Sequence, residues 1–160
     1  MRNSFIPQET YSRIADISLE YLDKDKDIKG LIFDFDGTLK RDKKLSKDTI
    51  EFIKKAKDAG FKISILSNNF FLNPEMIEDL GIYHLSKVAF KPLKKPFLDM
   101  AERMKLPPER IAVIGNNRFT DIWGANRANM FSILIQNFNS FFFKNGVENK
   151  LKDRGIKHVD

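Results

Sequence analysis

Two aspartates, Asp34 and Asp36, fall inside the run Leu31-Ile32-Phe33-Asp34-Phe35-Asp36-Gly37-Thr38-Leu39. Carboxylates at the exit of an apolar strand are costly to desolvate unless a cation or a hydrogen-bond network receives them. Strand side chains alternate, so the pair shares one side if the extended geometry continues through it. Further polar groups follow later apolar runs: Ser67-Asn68, Lys91 and Gly115-Asn116, with Asp121 beyond the last. Taken singly, each could cap a turn or a helix; their ordered recurrence at strand ends favours one shared site. A carboxylate can attack phosphorus and form an aspartyl-phosphate, which divides a phosphoryl transfer into two steps. On that chemistry Asp34, nearest the strand, attacks. Asp36 protonates the leaving oxygen and later takes a proton from water. Ser67, Asn68 and neighbouring backbone N–H groups, Lys91 and a magnesium ion would hold the phosphoryl oxygens. Asp121 adds a carboxylate on the magnesium side.

These groups need rigid elements behind them. The continuous apolar run before Asp34 reads as a strand buried on both faces. Ser46 to Ala59 reads as a helix with Ser46 as N-cap and Gly60 as its stop. Phe61 to Leu66 is a second strand, Pro74 to Leu80 a short helix, and Lys87 to Phe90 a short strand. A helix over Pro92 to Lys105, a strand over Ile111 to Ile114, a helix from about Thr120 to Asn129 and a strand over Phe131 to Ile135 complete the pattern. Tyr11, Ile14, Ile17 and Tyr21 recur at helical spacing and predict an amphipathic helix within an N-terminal helical segment, residues 1–28. Residues 136–160 form a tail that is aromatic, then polar. Alternating strands and helices predict right-handed βαβ units: an α/β, three-layer, Rossmann-like parallel sheet with helices on both faces. Such sheets place their ligand along the carboxyl ends of the strands.

The chain has 160 residues, enough for one domain with its own core. With 42% hydrophobic and 31% charged residues it reads as an ordinary globular protein. It has no cysteine, which excludes disulfides and thiolate metal sites, and two histidines, which argue against a histidine-rich centre. No segment approaches the roughly 20 apolar residues of a membrane span, and the N-terminus lacks a signal-peptide core. These features point to the cytoplasm, with peripheral contact at the inner face of the membrane as an extension. A net charge of +6 suits an anionic partner or simply keeps the protein in solution.

With the strand-end groups assembled, the chain resembles the haloacid dehalogenase (HAD) superfamily of phosphohydrolases. Asp34-Phe35-Asp36-Gly37-Thr38 matches its first motif, hhhDxDGT; Ser67 matches the second and Lys91 the third. Gly115-Asn116-Asn117-Arg118-Phe119-Thr120-Asp121 matches the fourth, which usually reads GDxxxTD. Phe5-Ile6-Pro7, Ile28-Lys29-Gly30, Leu66-Ser67-Asn68-Asn69, Lys91-Pro92-Leu93 and Gly124-Ala125-Asn126-Arg127 resemble one subgroup, the bacterial YqeG-type proteins of class IIIA. Those are similar to mitochondrial phosphatidylglycerophosphate phosphatases. The resemblance implies Asp34 as nucleophile and magnesium ligand, and Asp36 as acid/base with its backbone carbonyl on the metal. Ser67 would bind the phosphoryl group, Lys91 would steady nucleophile and phosphate, and Asp121 would support the metal. Asn116 departs from the pattern, standing where the family has a metal-binding aspartate. Its amide still offers an oxygen, but the site loses one negative charge and magnesium affinity should fall.

Family members that act on small metabolites usually carry a cap domain. Neither Leu39 to Phe61 nor Asn68 to Lys91 has room for one, since folded domains need at least about 50 residues. An open site could accept a phosphate on a macromolecule or at a membrane surface. Phe138, Phe141, Phe142 and Phe143 beside Lys144 fit a headgroup surface, or pack against the N-terminal segment. The leading expectation is a magnesium-dependent phosphatase acting on an exposed lipid phosphate such as phosphatidylglycerophosphate. Two other readings stay open. One is a phosphatase of nucleic-acid ends or phosphoprotein, although no nucleic-acid-binding motif is present. The other is a HAD-like interaction protein with a weakened metal site. The oligomeric state is not legible.

Overall fold

A computed structural model of the chain describes residues 4–41, 44–69, 77, 80–82, 84–86 and 89–136. Among the described residues there are eight strands: β1 (Glu9–Tyr11), β2 (Gly30–Phe33), β3 (Lys40–Arg41), β4 (Lys44–Leu45), β5 (Lys62–Leu66), β6 (His84–Ser86), β7 (Ile111–Gly115) and β8 (Phe131–Ile135). The α-helices of the described residues are α1 (Lys47–Asp58), α2 (Lys94–Met104) and α3 (Trp123–Arg127). Six strands make one sheet in the order β1-β8-β7-β2-β5-β6. Its pairings are all parallel.

β2 lies between β5 and β7, and every one of its residues is buried. That is what a continuous apolar run needs: a core on each face. Leu31 and Phe33 face a cluster with Phe52, Ile53 and Ala56 of α1 and with Ile14, Ile17 and Leu22 from the N-terminal segment. Ile32 faces the opposite cluster, with Phe97, Met100, Ala101 and Met104 of α2 and Ala125 of α3. The sheet is therefore sandwiched between two helical layers. Ser46 caps α1 as its sequence predicts, its hydroxyl accepting from the Thr49 N–H at 3.1 Å. Gly60 ends the segment at φ +90°.

Two expectations are corrected. The N-terminal segment is not one helix. It forms the edge strand β1, a tight turn at Ile14–Asp16 and a wide helical turn at Tyr21–Asp25. β8 would otherwise show an unpaired edge, and β1 covers it. Glu9, Thr10 and Tyr11 align with Ile133, Leu134 and Ile135, and the Gln8 side chain accepts from the Ser132 N–H at 2.9 Å. Edge pairing overrides the local helical spacing. The strand expected over Lys87 to Phe90 lies earlier, at His84–Ser86; Ala89 and Phe90 are irregular, with Phe90 at φ +55°, and residues 87 and 88 lie outside the described residues. The basic stretch after the aspartates contributes an antiparallel pair, β3 with β4. The short helix expected over Pro74 to Leu80 lies outside the described residues apart from Ile77 and Leu80, both buried. The Phe-rich tail also lies outside them.

Between β2 and β5, the described residues form only the β3–β4 pair and α1, and no cap is built there. Among the described residues no helix is long and apolar enough to cross a membrane.

Candidate active site

Register brings the polar groups together. Phe33 is level with Ile65 of β5 and Ile114 of β7. Asp34 therefore leaves β2 where Leu66-Ser67 and Gly115-Asn116 leave their own strands, at the carboxyl edge of the sheet. The pairing extends one residue further, since the Asp34 N–H donates to the Ile114 carbonyl at 2.9 Å. Phe35 is buried in the core and its carbonyl accepts from the Leu39 N–H at 3.0 Å, closing the turn that follows. Gly37 takes φ +80°, and a Cβ there would sit 2.1 Å from Nδ2 of Asn116. Only glycine lets the turn and the Asn116 amide approach this closely.

Lys91 holds the centre. Its side chain is 2% exposed, and Nζ donates to Asp34 Oδ1 at 2.7 Å and to Asp121 Oδ1 at 2.6 Å. Burial alone would lower the lysine pKa, but the charges and hydrogen bonds of Asp121 and Asp34 outweigh it and hold the ammonium above its ordinary value. Asp34 moves the other way from most paired carboxylates. Burial first, and then the negative charge of Asp121, push it up to about 7, against the pull of Lys91 and of a Thr38 hydroxyl at 3.3 Å. One ammonium shared between two buried carboxylates leaves the cluster short of positive charge.

Asp121 sits in a wide turn, Arg118–Ile122, whose first carbonyl partner is Asn117. Such i→i+5 turns recur at functional sites. Its Oδ2 accepts from the Asn117 N–H at 3.0 Å, and the Asn117 side chain caps the turn by accepting from Phe119 N–H and Thr120 N–H at 2.9 and 3.0 Å. Gly115 admits it: a Cβ on Gly115 would lie 2.4 Å from the Asp121 side chain.

Ser67 is 1% exposed, and its Oγ accepts from the Asn69 N–H at 3.0 Å. Its backbone is held on both sides, the N–H on Ser86 carbonyl and the carbonyl on Ala89 N–H, each at 2.9 Å. Asn68, expected at the phosphate, turns its side chain to the backbone of Lys91. Oδ1 accepts from the Lys91 N–H at 2.8 Å and Nδ2 donates to the Lys91 carbonyl at 3.0 Å. Asp36 is exposed and stands outside the ion cluster, with Oδ2 accepting from Asn69 Nδ2 at 2.7 Å.

The structure thus brings Asp34, Lys91 and Asp121 into direct contact, ties Asp36 to the Ser67 loop through Asn69, and sets Asn116 against Gly37. The parts of Asn69, Thr38 and Asn117 go beyond the expected site residues. Their one trace in the sequence is that polar residues directly follow the strand-end motifs. Among the described residues no group of three or more His, Asp or Glu side chains is arranged to hold a metal. Oxygen donors at hand are Asp34, the Asn116 amide and Asp36. Asp121 already receives donors on both its oxygens, from Lys91 and from Asn117.

Comparison with known proteins places the chain in a family. The family model for haloacid dehalogenase-like hydrolases matches residues 40–129. The probable phosphatase YqeG of Bacillus subtilis is 34% identical over 138 residues, covering 84% of this chain and 79% of that protein. Glyceraldehyde 3-phosphate phosphatase of Methanopyrus kandleri is 29% identical over 98 residues, covering 56% of this chain and 42% of that protein. A crystal structure of a HAD phosphatase from Thermococcus onnurineus shares the fold with a TM-score of 0.63 at 15% identity, over 82% of this chain and 100% of that one. The family model spans more than half of the sequence, and a relative a third identical extends over most of it. The chain belongs to the haloacid dehalogenase-like hydrolases and is an enzyme of their phosphatase type.

Proposed function

We propose that the chain hydrolyses phosphate monoesters in two steps through a phosphoryl group carried on Asp34, and that its substrate is an exposed lipid phosphate such as phosphatidylglycerophosphate. The observation that carries the first part is the Lys91 ammonium 2.7 Å from the Asp34 carboxylate at a strand end. A carboxylate oxygen of Asp34 attacks phosphorus while the bond from phosphorus to the ester oxygen breaks. Asp36, exposed in the turn that follows, gives that oxygen a proton. It then takes a proton from water as the water oxygen attacks phosphorus, releasing phosphate and restoring Asp34. Ser67 and Lys91 hold the phosphoryl oxygens. Asn68 positions Lys91 through its backbone.

A magnesium ion fits the donor set. Magnesium is commonly held by one or two carboxylates with water completing the shell. Asp34, with the amide oxygen of Asn116 and the backbone carbonyl of Asp36, would hold it, and Asp121 would act through Lys91 and the fourth-motif turn. The missing positive charge beside Asp34 is the feature that asks for a cation. When bound, the ion supplies charge neutralisation at Asp34 and at the phosphoryl oxygens.

The uncapped edge supports an exposed phosphate as substrate. Hydrolysis of p-nitrophenyl phosphate with and without magnesium, with Asp34→Asn as control, tests the chemistry; equal turnover by the variant would sink it. Phosphatidylglycerophosphate in vesicles tests the substrate, with release no faster than from soluble esters counting against it.

A further inference from the structure

We propose that the mouth of the active site is a docking surface for an anionic lipid bilayer, built from Phe5, Ile6, Phe90, Leu93 and Phe119 around Trp123 and Arg127. This deepens the lipid reading given above and rests on it for its biological sense, though not for its test. Five large apolar side chains stand exposed among the described residues, at 47%, 48%, 67%, 56% and 53% in the order named. Phe90 and Leu93 bracket Lys91-Pro92. Phe119 lies two positions before Asp121. The Phe5 ring stacks on Phe119 at 6.2 Å and on Trp123 at 5.0 Å. The Arg127 guanidinium lies 4.8 Å over the Trp123 ring and donates to the Pro92 carbonyl at 3.5 Å, joining the two halves of the rim.

The rim is held outward by its own backbone. Asn126 Nδ2 donates to the Ser4 and Ile6 carbonyls at 2.7 and 3.0 Å, and Arg118 donates to the Phe5 carbonyl at 3.3 Å. Exposed apolar groups gathered in one place mark an interaction surface. Its composition selects the occupant. Aromatic rings beside the Arg127 guanidinium suit a headgroup region with negative charge, where rings enter the interface and a nearby cation adds attraction. Lys94 and Lys95 follow Leu93, Lys95 being paired with Asp99, and the chain carries a net +6. Lys91 is 2% exposed, while its chain neighbours Phe90 and Leu93 are exposed, so the segment that carries the buried ammonium presents apolar groups outward.

Trp123 is the single tryptophan of the chain and sits inside the rim, so the native protein reports on the proposal. Full-length protein is titrated with vesicles of equal parts phosphatidylglycerol and phosphatidylcholine, and with phosphatidylcholine alone. A blue shift of Trp123 emission and its quenching by brominated acyl chains are expected on the anionic vesicles only, and equally in Asp34→Asn. Phe90→Ser and Phe119→Ser should each weaken vesicle binding about tenfold or more, the worth of one buried ring. Both should leave the far-ultraviolet circular dichroism of the chain unchanged, so that weakened binding is read on folded protein. Absence of binding, binding with unaltered emission, or equal response to neutral vesicles would overturn the proposal. A shift that follows protein concentration without vesicles would assign the face to self-association and overturn it too. Loss of ester hydrolysis with docking intact would strike at the chemistry alone.

Discussion

Asn68 grips Lys91 by the backbone, accepting from its N–H at 2.8 Å and donating to its carbonyl at 3.0 Å. The lysine ammonium, extended between Asp34 and Asp121, is thereby aimed from a fixed root. A substitution that leaves every charge in place should still disturb the site. Asn68→Ala is expected to lower kcat about 10- to 100-fold, with a smaller change in KM, because a displacement of about 1 Å at a reacting group costs on that order. Two lost hydrogen bonds should lower stability by roughly 1–3 kcal/mol. Steady-state kinetics and a urea melt read both; wild-type kcat would contradict the positioning role.

Gly115→Ala tests the approach of Asp121 from the opposite side. The added methyl would lie 2.4 Å from the Asp121 side chain, closer than real contacts allow. The Arg118–Ile122 turn must shift and draw Asp121 from Lys91. Overpacking of this kind costs about 1–3 kcal/mol, and activity should fall with it. A variant with unchanged melting and unchanged turnover would show that Asp121 is not held where Gly115 admits it.

The carboxyl of Asp34, raised to about 7 by burial and by Asp121, makes stability depend on pH. The folded chain keeps a proton that the unfolded chain releases at the usual carboxylate pKa of about 4. That contribution is complete below about pH 4 and is lost as pH rises through about 7. Magnesium-free protein should therefore lose on the order of 1–3 kcal/mol of stability across this window. Asp34→Asn should lose less, so its advantage over wild type grows toward about pH 8. Denaturant unfolding in chelator, at mildly acid and mildly alkaline pH, decides it. Parallel curves for the two proteins would contradict the assignment.

Asn116→Asp restores a carboxylate next to Gly37. Magnesium affinity should rise about tenfold or more, since ligand charge is a main determinant of binding at such sites. Without the metal, the new charge should push Asp34 further up. Isothermal calorimetry measures the first effect directly, and affinity equal to or below wild type would show that Asn116 is not at the metal.

The sequence made the framework of the fold legible where burial is two-sided and continuous. Leu31-Ile32-Phe33 and Phe131 to Ile135 could be little else than buried strands, and Ser46 marked the start of α1 by capping chemistry. β1 was hidden because it has three residues, half-buried, whose apolar neighbours Ile14 and Ile17 mimic helical spacing. Its cause lies more than a hundred residues away, on the edge of β8. The placement of Asp34, Lys91 and Asp121 followed from strand ends and motif order. Asn68 was expected at the phosphate for the same reason, yet its side chain serves Lys91, and Asn69 serves Asp36. Such pairings depend on side-chain direction and on loops meeting across the sheet edge, which spacing along the chain does not encode.

The account turns on Asp34 as the attacking group. Acid-quenched single turnover of a phosphate monoester, followed by borohydride reduction and peptide mass spectrometry, reads that step. Reduction should convert Asp34 of the wild type to homoserine in proportion to the trapped phosphoryl group, and Asp34→Asn should show neither conversion nor turnover. Conversion at another residue, or undiminished turnover by Asp34→Asn, would contradict it.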